Sequence, residues 1–511
     1  MLVTRRQTLG LLEGALALAL MPGSALAQQE AERDLLGPSQ PFPEDYVISA
    51  ARALAAKPFA EITVDLPPEL ADLTYSQYRE IVFNPDHAIW RGDPAGFYFE
   101  LFHTGFFYKN PVDVFIVDDG EQRRVNYRPE LFIFGPKVKA PTGDRDLHFS
   151  GIRLCYPLDR PGNPQEFAVF QGASYFRAVA KGQIYGLSAR GLAVNTAQPQ
   201  GEEFPLFRAF WVRKATPEAR SIVVHALLDS PSCTGAYRFT LRPGEETQMD
   251  VELMLFPRVD LDHVGFAPLT SMFLYDDKNR SQFDDFRLAV HDNDGLAMQT
   301  GAGEWLWRPL NNPKTLQISA FMDNGPRGFG LMQRKRAYRD FLDLEARYER
   351  RPSLWVEPVG DWGAGHVELV EIPSDREYHD NIVAYWQPKD IVAKGTEFPL
   401  TYRLHWCQTW PVAQPKFAQA QFSGAGLNFD QNRRLFIIEF SGGNLSGDLE
   451  AEVSATVGKV VNAVPTYNPE TGGYRLGFEL EPGDATSVEL RARLTRNGAP
   501  VTETWLYRWT A

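Results

Sequence analysis

Short strand-like runs recur along most of the chain, and this pattern restricts the fold more than any other feature. The runs are rich in Val, Ile, Leu, Phe and Trp and end at glycine, proline or charged residues, which predicts β-strands. Clear examples are 97–103, 113–118, 205–211, 221–227 and 248–255. Helical spacing of apolar residues is found at 46–57 and returns only around 338–350. Many strands with few helices predict an all-β protein that packs as antiparallel sheets.

The chain is expected to form two β-sandwiches. No linker-like composition interrupts residues 28–409, so they are predicted to form one large sandwich. Prolines and small polar residues then predict a linker at 410–419. Beyond it, apolar and polar residues alternate in 488–494, and Asn497-Gly498 is a strong hairpin signal. Closely spaced strands of this kind predict a small immunoglobulin-like sandwich at 420–511, which we expect to fold on its own.

The first residues predict an export signal. Arg5-Arg6 precedes an apolar run, and Ala25-Leu-Ala27 fits a small-residue cleavage site. Because the apolar run is shorter than the ~20 residues that a bilayer span needs, we expect residues 1–27 to be removed. The mature protein is then expected in the bacterial periplasm, exported by the twin-arginine pathway and without stable membrane insertion. A signal anchor that stays attached is the alternative.

Charge and cysteine content exclude several classes of function. A formal net charge of -13 provides no basic field, so no nucleic-acid partner is expected. Cys155, Cys233 and Cys407 are too few for a disulfide framework: at most one bridge forms, or all three are small buried hydrophobic side chains. The sequence shows no Cys and His spacing typical of zinc, no phosphate-binding glycine loop and no nucleophile elbow. No metal and no cofactor are expected.

The stretch 291–313 has the residue types of a sugar-binding site. Two carboxylates one residue apart are directed to the same face by an extended backbone, and two tryptophans alternate in the same way. Tryptophan rings stack on the C–H faces of pyranoses, while acids and amides bind hydroxyls. The alternative is a β-hairpin with an Asp-rich surface turn and core tryptophans. The candidate residues are Asp292, Asp294, Glu304, Trp305, Trp307 and Arg308.

A second loop with several acids lies at 374–381. Asp375, Glu377 and Asp380 are its candidate acids, and neighbouring aromatic residues could raise the pKa of one of them by desolvation. A carboxylic acid that stays protonated near neutral pH is what a departing glycosidic oxygen requires. The alternative is a solvated loop in which Asp380 caps a turn.

Further candidates lie in segments that combine aromatic residues, arginine and glycine, as a carbohydrate groove would. They are Tyr175, Arg190, Tyr348 and Trp355. Each is also compatible with a structural role, at the end of a strand or on the surface of a helix.

Several long motifs resemble one family, the periplasmic glucans biosynthesis proteins G and D. The motifs are Gly172-Ala-Ser-Tyr-Phe-Arg-Ala178, His291-Asp-Asn-Asp-Gly-Leu296, Gly303-Glu-Trp-Leu-Trp-Arg-Pro-Leu-Asn-Asn-Pro313, Gly328-Phe-Gly-Leu-Met-Gln-Arg334 and Asp380-Asn-Ile-Val-Ala-Tyr-Trp386. The similarity runs over the whole exported chain, and the twin-arginine signal resembles the D proteins more than the G proteins. The resemblance implies a large galactose-mutarotase-like β-sandwich followed by a small immunoglobulin-like β-sandwich.

The same resemblance implies a function in the biosynthesis of osmoregulated periplasmic glucans, with β-1,2-glucan as the ligand. It places the general acid at Asp380 and places at Asp292 the carboxyl that acts on the attacking water. In the family, protons are relayed through a substrate hydroxyl and an ordered water. Three functions stay open: an inverting β-1,2-glucanase, a transglycosylase that forms cyclic or branched glucan, and a non-catalytic glucan-binding assembly factor. A homodimer is a further expectation.

Overall fold

The computed structural model describes residues 35–143, 145–160, 162–412, 417–441 and 445–511. Within these residues the chain is built almost wholly of β-strands, which confirms the prediction of an all-β protein. The export signal predicted at 1–27 lies outside the described residues, as do residues 413–416 in the predicted linker.

Helices are few and short among the residues that the structure describes. The α-helices are α1 Tyr46–Ala55, α2 Pro68–Ala71 and α3 Tyr75–Tyr78, and single 3-10 turns lie at Pro85–His87, Pro129–Leu131, Arg280–Gln282, Tyr338–Asp340, Tyr348–Arg350 and Leu427–Phe429. Helix α1 confirms the helix predicted at 46–57. The helix predicted around 338–350 is wrong, because only two 3-10 turns form there. Leu342 and Arg347 take left-handed backbone angles, with φ of 63° and 46°, and such residues interrupt an α-helix.

The strands up to residue 257 confirm the runs predicted there. They are β1 Gln40–Pro41, β2 Ile81–Phe83, β3 Tyr98–His103, β4 Asp113–Asp118, β5 Glu121–Arg124, β6 Phe132–Phe134, β7 Phe149–Arg160, β8 Asn163–Gln171, β9 Tyr175–Ala178, β10 Ser188–Arg190, β11 Ala193–Val194, β12 Leu206–Arg213, β13 Ile222–Asp229, β14 Cys233–Arg242 and β15 Thr247–Pro257.

The remaining strands complete the large unit and form the C-terminal one. Those of the large unit are β16 Val264–Ser271, β17 Phe273–Tyr275, β18 Val290–His291, β19 Gly295–Gln299, β20 Trp305–Pro309, β21 Gln317–Asn324, β22 Gly328–Met332, β23 Ser353–Val359, β24 Ala364–Glu371, β25 Ile382–Pro388 and β26 Phe398–Cys407. The C-terminal strands are β27 Phe417–Ala425, β28 Arg434–Ser441, β29 Glu450–Ala455, β30 Lys459–Asn468, β31 Gly473–Glu481, β32 Ser487–Arg496, β33 Ala499–Pro500 and β34 Thr504–Thr510.

Two extended sheets pack against each other to form the large sandwich. The described residues place β21, β24, β25, β16, β10, β9, β8, β7 and β3, in this order, in one ten-stranded sheet that also includes β11. The opposite, 16-stranded sheet contains β12 to β15, β26 and β23 at its centre. The two sheets share one apolar core, in which the Phe239 ring of β14 lies 5.1 Å from the Phe170 ring of β8 and 5.2 Å from the Phe176 ring of β9.

The C-terminal strands continue the 16-stranded sheet. Strand β34 pairs in parallel with β20, and β32 and β29 follow it, while β27, β28, β31 and β30 form a separate sheet. A second buried cluster joins Trp307 and Trp355 of the large unit to Phe436 and Trp505 of the C-terminal one. Strand β27 already begins at Phe417, inside the predicted linker. Packing is therefore continuous between the described residues on either side of the predicted linker.

All three cysteines, Cys155, Cys233 and Cys407, are free and buried. Each is therefore a small core side chain, one of the two roles expected from the sequence. None of the helices in the described residues combines the length and the apolar character needed to cross a membrane.

Candidate active site

One face of the ten-stranded sheet carries polar side chains, whereas the other face supplies the core. On β9, Tyr175 and Arg177 flank the buried Phe176, and on β10 Arg190 follows the buried Ala189. The register pairs Arg190 with Tyr175, and side chains two residues apart on a strand share a face. The alternation of these two strands therefore places Tyr175, Arg177 and Arg190 together on the polar face.

Hydrogen bonds hold the two arginines in place. The Arg190 guanidinium lies over the Tyr175 ring, 4.8 Å from its centroid, and donates to Glu202 at 2.6 Å and to Thr270 Oγ1 at 2.8 Å. Arg177 donates from Nε to the hydroxyl of Ser188 on β10 at 2.6 Å. Because these contacts leave part of the Arg177 guanidinium free, it can face a second group across the sheet.

That second group is Asp380, at the end of the loop that leads into β25. Its carboxylate lies 3.8 Å from Arg177 Nη2. The next residue, Asn381, is buried and anchors the loop: it accepts a hydrogen bond from the backbone N–H of Phe273 at 2.8 Å and donates to the carbonyls of Phe273 and Ile372. Asp380 is therefore held at a fixed backbone position although its side chain is 37% exposed.

Asp292 directly follows β18 and is held in a similar way. Its backbone N–H donates to the Met272 carbonyl at 2.9 Å, and its carboxylate forms an ion pair with Arg351. The buried Asn293 beside it accepts from the Ser271 hydroxyl at 2.7 Å and donates to the Pro352 carbonyl at 3.2 Å. Both aspartate loops thus hydrogen-bond to the short segment 271–273 between β16 and β17, which fixes one acid relative to the other.

The pKa of Asp380 is raised above the ordinary value of an aspartate. Desolvation raises the pKa of Asp380, and the positive charges of Arg177, Arg190 and Arg351 oppose that rise. The negative charge of Asp292 adds to the rise, so the two acids interact electrostatically. The net effect is a raised pKa, because desolvation and the charge of Asp292 outweigh the three arginines. At a given pH, a larger share of Asp380 is therefore protonated than of an ordinary aspartate.

A network of charges borders the site beyond Arg351. The Arg351 guanidinium lies 4.4 Å from the centroid of the Tyr348 ring, and the Tyr348 hydroxyl donates to Glu377 at 3.3 Å. Arg287 joins Glu377 at 2.7 Å and Asp343 at 2.9 Å. Glu377 is therefore already paired, which makes it a weaker candidate than Asp380 for donating a proton.

The structure brings together one part of the predicted residues. Asp380, Asp292, Tyr175, Arg190 and Tyr348 lie around the site as described above. Arg177 and Arg351, which complete it, were not singled out from the sequence, although both lie in the motif-rich segments that contain Tyr175 and Tyr348. Each arginine is identified by the aspartate that it contacts, Asp380 for Arg177 and Asp292 for Arg351. The sequence does not show these contacts.

The predicted tryptophans do not line this site, and this is a correction. Trp307 and Trp355 are buried, and their rings lie 6.3 Å and 6.2 Å from that of Trp410. Trp305 packs beside them, 5.7 Å from Trp355. The Arg334 guanidinium covers the Trp307 ring at 3.5 Å. Trp307 and Trp355 therefore lie in the core between the two units, and the partly buried Trp305 and Trp410 pack against that core.

Three polar candidates are also structural. Asp294 is buried and accepts from the backbone N–H of Arg334, and burial raises its pKa. Glu304 accepts from Thr504 at 2.7 Å and pairs with arginines of β32, so it links the two units. Arg308 forms a buried ion pair with Glu371 at 2.9 Å. Asp294 thus does not share the environment of Asp292, because the chain enters β19 directly after it.

Fold and site together define an all-β sandwich protein in which Arg177, on the polar face of the ten-stranded sheet, lies beside Asp380, and Arg351 pairs with the neighbouring Asp292. The chain belongs to the periplasmic glucan biosynthesis protein family: residues 42–509 match the family model described as "Periplasmic glucan biosynthesis protein, MdoG". This match confirms the resemblance found in the sequence motifs.

Relatives cover nearly the whole chain. "Glucans biosynthesis protein G" of Vibrio cholerae serotype O1 is 50% identical over 474 residues, which is 92% of this chain and 87% of that protein. The protein of the same name from Bradyrhizobium diazoefficiens is 49% identical over 516 residues, covering 99% of this chain and 100% of that protein. That of Shewanella frigidimarina is 51% identical over 478 residues, 92% and 85% of the two chains.

Among solved structures, a glycoside hydrolase of family 81 from Clostridium thermocellum matches 61% of this chain and 34% of that chain. The sequence identity is 8% and the TM-score 0.16.

Proposed function

We propose that the protein acts on the β-1,2-glucan backbone of periplasmic glucans as an inverting β-1,2-glucanase. Asp380 is the general acid and Asp292 takes up the proton of the attacking water. The observation that carries the proposal is the contrast between the two carboxyls. Desolvation raises the pKa of Asp380, whereas the Asp292 carboxylate forms an ion pair with Arg351.

The reaction follows from these two roles. Asp380 donates its proton to the glycosidic oxygen as the bond from that oxygen to the anomeric carbon breaks. Water attacks the same carbon from the opposite side, and its proton passes towards Asp292, through a substrate hydroxyl in the way that the family resemblance implies. Attack opposite the leaving group inverts the anomeric configuration. Each turnover consumes one water and returns the proton to Asp380 through solvent.

The arginines and Tyr175 have a supporting role in this proposal. Arg177 faces Asp380 and becomes the counter-charge of the carboxylate that forms when the proton leaves. Arg190 is buried, stacked on Tyr175 and held by Glu202, so it keeps the Tyr175 ring in a fixed position beside the site. A fixed polar frame of this kind costs little reorganisation when charge develops.

The test is incubation of the purified mature protein with linear β-1,2-glucan, followed by NMR of the new anomeric protons and mass analysis of the products. We expect shorter glucans whose new reducing ends appear first as the α-anomer. Rings or branched products formed without uptake of water would instead identify a transglycosylase. Glucan that binds and stays intact would identify an assembly factor.

We further propose that the chain reaches the periplasm through the twin-arginine pathway, as Arg5-Arg6 and the small-residue site before Gln28 indicate. The finding that supports this is membership of a family of periplasmic proteins. Replacement of Arg5 and Arg6 by lysine is expected to hold the precursor in the cytoplasm, and the secreted wild-type chain is expected to begin at Gln28. Export of the lysine variant at the wild-type level would contradict the route. The expected homodimer stays a prediction that light scattering can check.

A further inference from the structure

An aromatic cluster lies beside the candidate active site and has no role in the reaction described above. It consists of Tyr75, Tyr78, Phe106, Phe107 and Tyr108, from helix α3 and the loop after β3. The Phe106 and Phe107 ring centroids are 4.0 Å apart, and Tyr78 lies 5.3 Å from Tyr108. Tyr75 is 60% exposed and Phe107 is 82% exposed. Two large exposed rings packed beside three further rings form an apolar surface patch.

The loop holds these rings outward in a strained conformation. Gly105 and Tyr108 exchange two backbone hydrogen bonds of 3.0 Å and 2.8 Å, which places Phe106 and Phe107 at the tip of a tight turn. Such tips favour Gly, Asn or Asp. Phe106 instead adopts a left-handed φ of 54°, an unfavourable conformation for a bulky side chain. Strain of this kind collects at ligand-binding sites.

The cluster is continuous with the acid pair. The Tyr108 ring packs on Gly172, where an added Cβ would lie 3.2 Å from the ring, and Gly172 begins the turn that leads to Tyr175. Burial raises the pKa of Tyr108, and the charge of Arg177 opposes that rise, so this arginine lies within electrostatic range of Tyr108. Arg177 in turn lies 3.8 Å from Asp380. The Tyr108–Gly172 contact thus connects the cluster to the turn before β9, the strand that carries Arg177.

We propose that Tyr75 and Phe107 form an outer subsite that stacks on glucosyl rings of the same glucan chain whose cleaved bond lies at Asp380. The inference rests on the proposed function and deepens it, because it makes the enzyme selective for long chains. The exposed C–H face of a pyranose matches a flat aromatic ring, while its hydroxyls stay in water. A short oligosaccharide that fills only the central site cannot reach these rings.

The test compares Phe107→Ala and Tyr75→Ala with wild type on long linear β-1,2-glucan and on a short β-1,2-gluco-oligosaccharide that is still cleaved. Phe429→Ala is the matched control, because Phe429 is an 85% exposed phenylalanine in the C-terminal unit. Loss of one stacking ring is expected to lower kcat/KM on the long glucan about tenfold. Activity on the short substrate and the thermal midpoint are expected to stay at wild-type values. Binding of long glucan to the Asp380→Asn variant gives the same comparison without turnover.

The outcomes separate the subsite from the function itself. If wild type cleaves both substrates and the two variants lose activity on both equally, or on neither, the subsite is refuted and the proposed function stands. Equal losses in Phe429→Ala would also refute it, since the effect would then be unspecific. If wild type neither binds nor cleaves the glucan, the proposed function fails and the subsite fails with it.

Discussion

At the scale of single residues, Asp380 combines two opposing environments. Desolvation raises its pKa although its side chain is 37% exposed, and three arginines stand close enough to oppose that rise. A carboxyl in a fully apolar pocket would stay protonated but would release its proton reluctantly. The arginines stabilise the carboxylate that remains after proton transfer, so Asp380 can both hold and release a proton.

Replacement of Asp380 by Asn is expected to lower kcat by about 10²- to 10⁴-fold, the usual contribution of a positioned acid. Binding of the glucan is expected to persist because the shape is nearly preserved. Steady-state kinetics and calorimetric titration measure the two effects. Asp375→Asn is the control, since Asp375 lies on the same loop with an 80% exposed side chain. Near-normal turnover of Asp380→Asn would refute the assignment.

Replacement of Asp292 by Asn is expected to cause a comparable loss, measured in the same kinetic assay. Asp292 and Asp380 belong to one proton route, so the double variant is expected to fall well short of the product of the two single losses. Fully multiplicative losses would indicate that the two acids act independently. That result would place Asp292 outside the proton route.

The raised pKa of Asp380 also predicts a cost in stability at neutral pH. The folded state binds this proton more tightly than the unfolded chain, so the cost is absent below the unfolded pKa of about 3.9 and develops as the pH rises through the folded pKa. Asp380→Asn carries no buried charge. Its melting temperature is therefore expected to exceed that of wild type at pH 7 and to match it near pH 3. The reverse order at pH 7 would contradict the burial argument.

Arg177 is expected to set the alkaline limit of activity. Its positive charge lowers the pKa of Asp380, so Arg177→Gln raises that pKa. Because Asp380 works in its protonated form, the descending limb of kcat/KM against pH is expected to move to higher pH. Arg376→Gln, an exposed arginine on the Asp380 loop, is the control. A shift of the limb to lower pH would contradict this.

At the scale of elements, β20 shows how a correct pattern can lead to a wrong role. Trp305 and Trp307 do alternate on one face of the strand, as predicted. That face meets the C-terminal unit, because β34 pairs with β20 and brings Trp505 beside Trp307. An aromatic face suited to sugars is equally suited to a buried interface between two sandwiches. Which of the two roles such a face has depends on the strand that packs beside it, here β34.

Trp307→Ala is consequently expected to destabilise the protein and not to weaken a sugar contact. Truncation of a buried Trp costs about 3–5 kcal/mol of the free energy of unfolding. Chemical denaturation measures the loss, and Trp307→Phe is expected to lose less because it keeps most of the apolar volume. If Trp307→Ala left the stability unchanged and weakened glucan binding, Trp307 would be assigned to the sugar-binding groove after all.

At the scale of the whole molecule, the two sandwiches behave as one packed body. They share a sheet through β20 and β34, a buried cluster, and the ion pair of Arg334 with Glu503 at 2.7 Å. Each unit alone would expose tryptophans that are buried in the whole chain. If residues 420–511 fold on their own, as the sequence predicts, the isolated fragment exposes this apolar area to water.

We expect thermal unfolding of the mature chain to occur in one cooperative transition. In differential scanning calorimetry the van't Hoff and calorimetric enthalpies are then equal. The isolated fragment 420–511 serves as the comparison and is expected to melt at a lower temperature than the whole chain. Two resolved transitions in the full chain would show that the units unfold independently.

The sequence by itself determined the strands, the all-β class and the two acid-bearing loops. Period-two alternation and turn residues act over a few neighbours, so 488–494 and Asn497-Gly498 predict a strand and a hairpin without knowledge of the rest. The prediction of a helix around 338–350 was wrong, because residues with left-handed backbone angles such as Leu342 interrupt the helix that the apolar spacing indicates. Motif resemblance added Asp380 and Asp292, which local pattern alone left among several acids.

Only the tertiary structure decided which polar residues meet. Arg177 on β9 and Arg351 before β23 lie far apart in sequence, yet Arg177 lies beside Asp380 and Arg351 pairs with Asp292. Asp294 and Trp307 have the right chemistry for a sugar site but are buried at the contact between the sandwiches. Burial and pairing depend on which strands become neighbours, and that choice is made by long-range packing of the core, which no local pattern encodes.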